Sequence, residues 1–190
     1  MDISFVTGLM GSGKSKALIN DKKEHPNAIC FSASIDKETS SQGLIESRNG
    51  QWVPSINLSM EDSPEKLTIF IETIIEELRP ERIFIDECQF LSKEAIKKLV
   101  SISNNYNIPI DFYGLALTFT GELFESSDYL YKILEDYKIT YLPRICEAEN
   151  CKNTALYNGR IINGKVVREG ETFLEAKSSY EALCPKHYFL

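Results

Sequence analysis

The sequence predicts an α/β fold, with a mostly parallel sheet flanked by helices and a small C-terminal unit. Three observations support this: strands and helices alternate over the first 140 residues, a glycine-rich turn follows the first strand, and cysteines concentrate in the tail. Alternation of this kind is typical of parallel sheets, because helices form the crossover connections between strands. We therefore expect one domain at residues 1–143 and a smaller one at residues 144–190.

Apolar runs and helical spacing locate the elements of the larger unit. Strands are predicted at Ile3 to Val6, Ala28 to Phe31, Ile83 to Ile85 and Ile108 to Leu117, and helices at residues 14–22, 63–78 and around 95–100. Ser63-Pro64 is a typical helix start, because proline is favoured at the first helical position. The polar segment from Ser32 to Asp62 is predicted to be a long loop.

The composition excludes several classes of protein. The chain has 190 residues, and 21 Lys and Arg against 28 Asp and Glu give a net charge of −7. This acidity argues against a broad surface for nucleic acid or for an anionic membrane. No apolar run approaches the roughly 18 residues of a membrane span. Five cysteines, an odd number, suit a reducing compartment, so we expect a cytoplasmic protein.

A glycine-rich turn follows the first predicted strand directly. Its eight residues match the pattern G-x-x-x-x-G-K-[ST], and they are Gly8, Leu9, Met10, Gly11, Ser12, Gly13, Lys14 and Ser15. Backbone N–H groups in such a turn, and at the start of the following helix, converge on phosphate oxygens. Lys14 is expected to contact the β- and γ-phosphates, and Ser15 to offer its hydroxyl to Mg²⁺. The sequence therefore predicts a P-loop NTPase-like sheet.

An acidic pair ends the apolar run at Ile83 to Ile85. Asp86 and Glu87 follow it directly, and open α/β sheets bind their ligands at the carboxyl ends of the strands. Asp86 is therefore expected to hold Mg²⁺, directly or through water, with Glu87 as a second carboxylate beside it. Nucleotide hydrolysis, phosphoryl transfer and mechanical ATPase work all remain open at this point.

The tail carries a candidate metal site. Cys146 and Cys151 precede two predicted turns, at Tyr157 to Arg160 and at Asn163-Gly164, and the last pair of ligands is Cys184 and His187. Three thiolates and one imidazole form the set of a closed structural zinc site, here in a zinc-ribbon-like subdomain. A tail of about 45 residues is too small to hold a core without such support. The alternative of a catalytic zinc deaminase requires H-x-E and P-C-x-x-C, and the sequence contains neither.

Several motifs together resemble the thymidine kinase family of the P-loop, zinc-containing type. They are the P-loop, Asp86-Glu87-Cys88-Gln89-Phe90-Leu91, Tyr113-Gly114-Leu115, Thr118-Phe119, Gly121-Glu122-Leu123-Phe124, the four tail ligands and the ending Lys186-His187-Tyr188. The resemblance runs from residue 2 to residue 189. It implies transfer of the ATP γ-phosphoryl group to the 5′-hydroxyl of thymidine, with deoxyuridine as a further acceptor, giving dTMP in nucleotide salvage. It also implies Mg²⁺, structural zinc and a homotetramer.

The resemblance assigns roles to individual residues. Glu87 is implied as the general base, and Asp86, Glu87, Cys88 and Gln89 as neighbours of the ATP phosphates. The implied nucleoside-binding residues are Met10, Phe90, Phe119, Phe124, Tyr180 and the substrate-covering loop Glu171, Thr172, Phe173, Leu174 and Glu175. Flat aromatic faces suit a pyrimidine ring, although each phenylalanine is equally compatible with an ordinary core position.

Two departures from the family pattern leave alternatives open. The family's Asp-x-Arg corresponds to Asp36-Lys37-Glu38, so an acid replaces the arginine, and Lys37 or Arg48 are candidates to supply its charge. Glu175-Ala176 replaces a usual pair of glycines. The alternative hypotheses are a P-loop nucleotide-binding protein of the same fold with weak or lost nucleoside kinase activity, and a P-loop ATPase indifferent to nucleosides.

Overall fold

The computed structural model describes residues 2–33, 43–59, 62–170 and 179–190. The strands are β1 (Ile3–Gly8), β2 (Ile29–Ser32), β3 (Leu44–Glu46), β4 (Trp52–Pro54), β5 (Ile56–Asn57), β6 (Ile83–Asp86), β7 (Ile110–Gly114), β8 (Ile139–Leu142), β9 (Tyr157–Ile162), β10 (Lys165–Val167) and β11 (Ser179–Leu183). The helices are α1 (Lys14–Glu24), α2 (Pro64–Leu78), α3 (Lys93–Tyr106), α4 (Glu125–Ile133) and α5 (Pro185–Phe189), with short 3₁₀ turns at Cys88–Phe90 and Asp136–Lys138. The predicted residues at 36–38 and at 171–175 lie outside the described ranges.

A parallel sheet organises the larger part of the chain. Within the described residues it has six strands in the order β5-β2-β6-β7-β1-β8, and each neighbouring pair is parallel. Because the strands are parallel, the carboxyl ends of β1 and β6 lie at the same edge of the sheet. The predicted α/β fold class is confirmed.

Helices cover both faces of this sheet. On one face α1 buries Leu18 and Ile19 against Phe84 and Tyr113. On the other face α2, α3 and α4 pack on the alternate strand residues, with Ile71, Ile96 and Leu130 among Ile83, Ile85 and Phe112. Strand β6 is buried at all four positions, which explains why Ile83 to Ile85 form an unbroken apolar run rather than an alternating one. No helix of the described residues is long and apolar enough to cross a membrane.

Local signals explain where the long helices begin. Ser63 precedes Pro64, and its hydroxyl accepts a hydrogen bond from the Lys66 N–H at 3.4 Å. Ser92 caps α3 in the same way through the Ala95 N–H at 3.1 Å. These side chains satisfy backbone donors that lack an intrahelical partner. The predicted start of the helix at Ser63-Pro64 is confirmed.

The long loop predicted between Ser32 and Asp62 is wrong in part. Strands β3 and β4 form an antiparallel hairpin with Ile45 opposite Val53, and β5 adds an edge strand beside β2. Ile45 and Val53 are buried in the cluster that includes Leu18 and Ile19 of α1. Strands of two or three residues show too little alternation for the sequence to reveal them.

The C-terminal part forms a separate antiparallel sheet in the order β10-β9-β11. The predicted turn at Asn163-Gly164 is confirmed, with φ values of 50° and 73° between β9 and β10. The turn predicted at Tyr157 to Arg160 is wrong, because these residues begin β9. Gly159 is needed there for close packing, since a side chain would collide with Leu183 on β11.

Candidate active site

The P-loop lies between the carboxyl end of β1 and the start of α1. Gly11 and Gly13 adopt left-handed φ values of 71° and 92°, which glycine tolerates without a steric penalty. Gly8 passes so close to the end of β8 that an added Cβ would lie 2.6 Å from the Leu142 carbonyl oxygen. The Ser12 N–H closes the turn on the Leu9 carbonyl at 3.0 Å. The backbone therefore has the strand–turn–helix geometry of a phosphate cradle.

Lys14 lies inside this turn rather than on the surface. Its side chain is buried, and Nζ donates hydrogen bonds to the carbonyl oxygens of Gly8 at 3.3 Å and Leu9 at 3.0 Å. Burial lowers the pKa of Lys14, and the nearby charges of Glu87 and Asp86 act in the opposite direction. The ammonium group therefore lies close enough to the acidic pair for both charges to act on it.

Asp86 is buried at the end of β6, directly beside the P-loop helix. Its Oδ1 accepts the Glu87 N–H at 3.0 Å, and its carboxyl group also receives a hydrogen bond from the Ser15 side chain. Burial, together with the charge of Glu87, raises the pKa of Asp86 to about 7. The structure thus brings the two residues predicted to bind Mg²⁺ into contact. A hydroxyl and a carboxylate at this edge are hard oxygen ligands of the kind Mg²⁺ prefers.

Glu87 has an unusual backbone and a fixed side chain. Its φ of 54° lies in the left-handed region, which non-glycine residues seldom adopt and which often marks a functional position. The Gln89 amide donates to the Glu87 carboxylate, and Gln89 Oε1 accepts the Leu115 N–H at 3.0 Å. Gln89 therefore links the carboxylate to the chain that follows β7. Cys88, the residue after Glu87, is buried, and its sulfur lies close to Gly114 of β7.

The predicted nucleoside-binding aromatic residues fall into two groups. Phe90 and Phe124 are half-buried and meet edge to face, with ring centroids 6.5 Å apart. Phe119 is instead buried beneath the Arg160 guanidinium, whose carbon lies 4.8 Å from the ring centroid. Tyr180 is half-buried on β11, opposite Arg160 in the register of β9. Among those of the predicted aromatic residues that the structure describes, Phe90 and Phe124 therefore form the direct ring contact.

Sequence reasoning missed two residues that join the C-terminal part to the P-loop. Asn158 accepts the Met10 N–H at 2.8 Å, and Arg144 donates to the Met10 carbonyl at 2.5 Å. Asn158 falls within the turn that the sequence predicts at Tyr157 to Arg160, because Asn-Gly is a common turn signal. For Arg144 the sequence contains one weak signal of a role in the site: it stands two positions before Cys146, a candidate metal ligand.

The four predicted metal ligands converge. Cys146, Cys151, Cys184 and His187 place their ligand atoms within 4.8 Å of one another. His187 Nδ1 lies 3.4 Å from the sulfurs of Cys146 and Cys184. A tetrahedral site with Zn–S bonds of about 2.3 Å has sulfurs about 3.8 Å apart, and the sulfurs of Cys151 and Cys184 are 3.9 Å apart. A hydrogen bond from the His187 backbone N–H lowers the pKa of Cys184 to about 6, which favours the thiolate form that binds metals. The donor set fits a closed, four-coordinate ion.

The parallel sheet carries a P-loop after β1 and an acidic pair at the same edge, at the end of β6, with β7 between these two strands. This arrangement defines the class of P-loop proteins that bind nucleotide phosphates. The chain belongs to the thymidine kinase family, because that family's model matches residues 1–188. A thymidine kinase of Bacillus subtilis subsp. natto is 50% identical over 190 residues, which span 100% of this chain and 97% of the relative. Thymidine kinases of Shewanella oneidensis and Zymomonas mobilis subsp. mobilis are 34% and 33% identical, each over 97% of this chain and 94% of the relative.

Proposed function

We propose that the protein transfers the γ-phosphoryl group of ATP to the 5′-hydroxyl of thymidine, with deoxyuridine as a further acceptor, giving dTMP for nucleotide salvage. One observation supports this most strongly: Lys14 Nζ lies inside the P-loop on the Gly8 and Leu9 carbonyls, at the same sheet edge as Asp86 and Glu87, whose charges act on it. A phosphate-binding ammonium and a candidate base therefore lie close together. In this role the protein works in the cytoplasm, and the family resemblance implies a homotetramer.

The P-loop residues bind the triphosphate in this proposal. Backbone N–H groups from Gly11 to Ser15 contact the phosphate oxygens, and Lys14 moves from the Gly8 and Leu9 carbonyls to the β- and γ-phosphates. Ser15 and Asp86 hold the Mg²⁺ that accompanies ATP, which neutralises part of the phosphate charge. Cys88 and Gln89 support this side of the site, Cys88 through packing and Gln89 by orienting Glu87.

Glu87 acts as the general base. Its carboxylate accepts the proton of the nucleoside 5′-hydroxyl while the oxygen bonds to the γ-phosphorus and the bond to the leaving ADP breaks. The Gln89 hydrogen bond holds the carboxylate in place before the nucleoside arrives. Positioning supplies most of the rate in phosphoryl transfer, because the transition state needs little covalent help from the protein.

The nucleoside lies between the aromatic pair and the C-terminal unit in this proposal. Phe90, Phe124, Met10 and Tyr180 line the pocket, and Phe119 supports it from beneath Arg160. The segment Glu171, Thr172, Phe173, Leu174 and Glu175 covers the base, although these residues lie outside the described ranges. A structural zinc ion on Cys146, Cys151, Cys184 and His187 holds residues 144–190 together as one unit.

A nucleoside panel assayed with ATP and Mg²⁺ tests this function. We expect ADP formation that depends on thymidine, extends to deoxyuridine and disappears in Glu87→Gln. Turnover with none of the pyrimidine nucleosides would reject the proposal, and ATP binding without turnover would favour the nucleotide-binding alternative. ATP hydrolysis that ignores nucleosides would indicate a simple ATPase.

A further inference from the structure

Two arginines from distant parts of the chain meet at one glycine of the P-loop. Arg48 lies in the turn of the β3–β4 hairpin, and Arg144 follows β8 by two residues. A Cβ added to Gly11 would lie 2.6 Å from Arg144 Nη1 and 2.8 Å from Arg48 Nη1. The two guanidinium groups are therefore neighbours, and the absence of a side chain at Gly11 leaves room for both.

Arg144 is held rigidly in this position. Its Nη1 donates to the Met10 carbonyl at 2.5 Å, and its Nη2 pairs with Glu147 Oε1 at 2.6 Å. Glu147 is itself fixed, because its other oxygen accepts the Ala182 N–H at 2.6 Å. The Arg144 charge also contributes to lowering the pKa of Lys14, so the two cations lie close enough to affect each other.

Arg48 is positioned by its hairpin, and the described part of the chain offers it no acidic partner. The hairpin that carries it is closed by the Ser47 N–H on the Gln51 carbonyl at 2.8 Å and anchored by buried Ile45 and Val53. No ion pair among the described residues involves Arg48, and its side chain is exposed. Two adjacent cations repel each other, and an anion bound beside them relieves this repulsion.

We propose that Arg48 binds the phosphate chain of ATP at the P-loop, and that Arg144 is a positioning residue that holds the Met10–Gly11 backbone beneath it. This inference rests on the proposed function. The planar guanidinium group matches phosphate oxygens with two parallel hydrogen bonds, which an ammonium group does not. Arg48 thereby supplies a positive charge at the P-loop in addition to that of Lys14.

The test compares Arg48→Ala, Arg48→Lys and a matched control, Lys23→Ala, which removes one exposed positive charge from the end of α1. We expect Arg48→Ala to lower kcat/KM for ATP by about tenfold to a hundredfold, to leave the KM for thymidine within about twofold, and to be rescued only partly by lysine. Lys23→Ala should match the wild type. Unchanged ATP kinetics in Arg48→Ala, or equal losses for both substrates, would overturn the assignment of Arg48.

Calorimetric titration with ATP separates this inference from the proposed function. If the wild type binds ATP but phosphorylates no nucleoside, the proposed function fails, and about tenfold weaker ATP binding by Arg48→Ala still supports the arginine assignment. Equal ATP binding by the two proteins overturns it.

Arg144 is tested with Arg144→Lys, which keeps the charge but cannot hold the Met10 carbonyl and Glu147 together. A positioning role predicts a raised KM for ATP in both Arg144→Lys and Arg144→Ala. A lower melting temperature of these variants with an unchanged KM for ATP would show that Arg144 only stabilises the fold, and would overturn its positioning role.

Discussion

The side chain of Asn158 accepts the backbone N–H of Met10 at 2.8 Å, so strand β9 of the C-terminal sheet holds the P-loop directly. Asn158 is buried, and its amide nitrogen donates to the Leu117 carbonyl at 3.4 Å. One side chain thus connects the phosphate-binding turn, the segment after β7 and the unit that carries the Cys and His cluster. The P-loop and the C-terminal sheet are therefore joined through one buried side chain.

Removing this link should weaken ATP binding. Asn158→Ala leaves the Met10 N–H without its partner, and we expect kcat/KM for ATP to fall about fivefold to a hundredfold. Asn158→Asp keeps the acceptor oxygen and should recover part of the loss. Steady-state kinetics with varied ATP measure both effects. Wild-type kinetics in Asn158→Ala would show that the hydrogen bond between Asn158 and Met10 is not needed for the ATP-binding conformation of the P-loop.

Replacing the proposed base should slow the chemical step. Glu87→Gln keeps an oxygen that accepts from Gln89 but cannot take a proton, so kcat should fall about 10²- to 10⁴-fold with little change in the KM values. Glu94→Gln, at an exposed position on α3, is the matched control and should behave as the wild type. A Glu87→Gln variant with normal kcat would exclude this residue as the base.

The metal should be bound stoichiometrically and should support the fold. Elemental analysis of freshly purified protein should give about one zinc per chain, and Cys151→Ser should lose the metal and lower the melting temperature. Cys30→Ala changes a buried cysteine of β2 outside the cluster and should retain the metal. Protein without zinc that keeps the same melting temperature as zinc-loaded protein would contradict a structural site.

Burial of Asp86 predicts a specific pH dependence of stability in the absence of Mg²⁺. Its pKa rises from 3.8 to about 7 on folding, so between these values the folded chain binds more protons than the unfolded chain. The protonated Asp86 therefore stabilises the folded chain by its full amount below pH 3.8. This stabilisation decreases as the pH rises and is lost once the pH has passed about 7.

The wild type should consequently lose stability relative to Asp86→Asn between pH 4 and pH 8, by roughly a few kcal/mol. Urea unfolding at a series of pH values measures this difference, and Glu46→Gln, an exposed position on β3, serves as the control. A constant difference between wild type and Asp86→Asn would contradict a raised pKa.

The sequence predicted those parts of the site whose signals are local. The P-loop pattern and the apolar run ending at Asp86 each lie within a few neighbouring residues, so spacing alone located them. The roles of Arg144 and Asn158 could not be predicted, because each acts on Met10 from more than 130 positions away. The β3–β4 hairpin that carries Arg48 escaped prediction because its strands have three residues each.

Product analysis of one reaction tests the central claim most directly. Wild-type protein is incubated with ATP, Mg²⁺ and thymidine, and the nucleotides are separated and identified by mass spectrometry. Phosphoryl transfer from ATP bound at Lys14 to thymidine activated by Glu87 predicts equal amounts of ADP and dTMP, with neither formed when thymidine is left out. ADP without dTMP, or no product from an enzyme that binds ATP, would contradict the account.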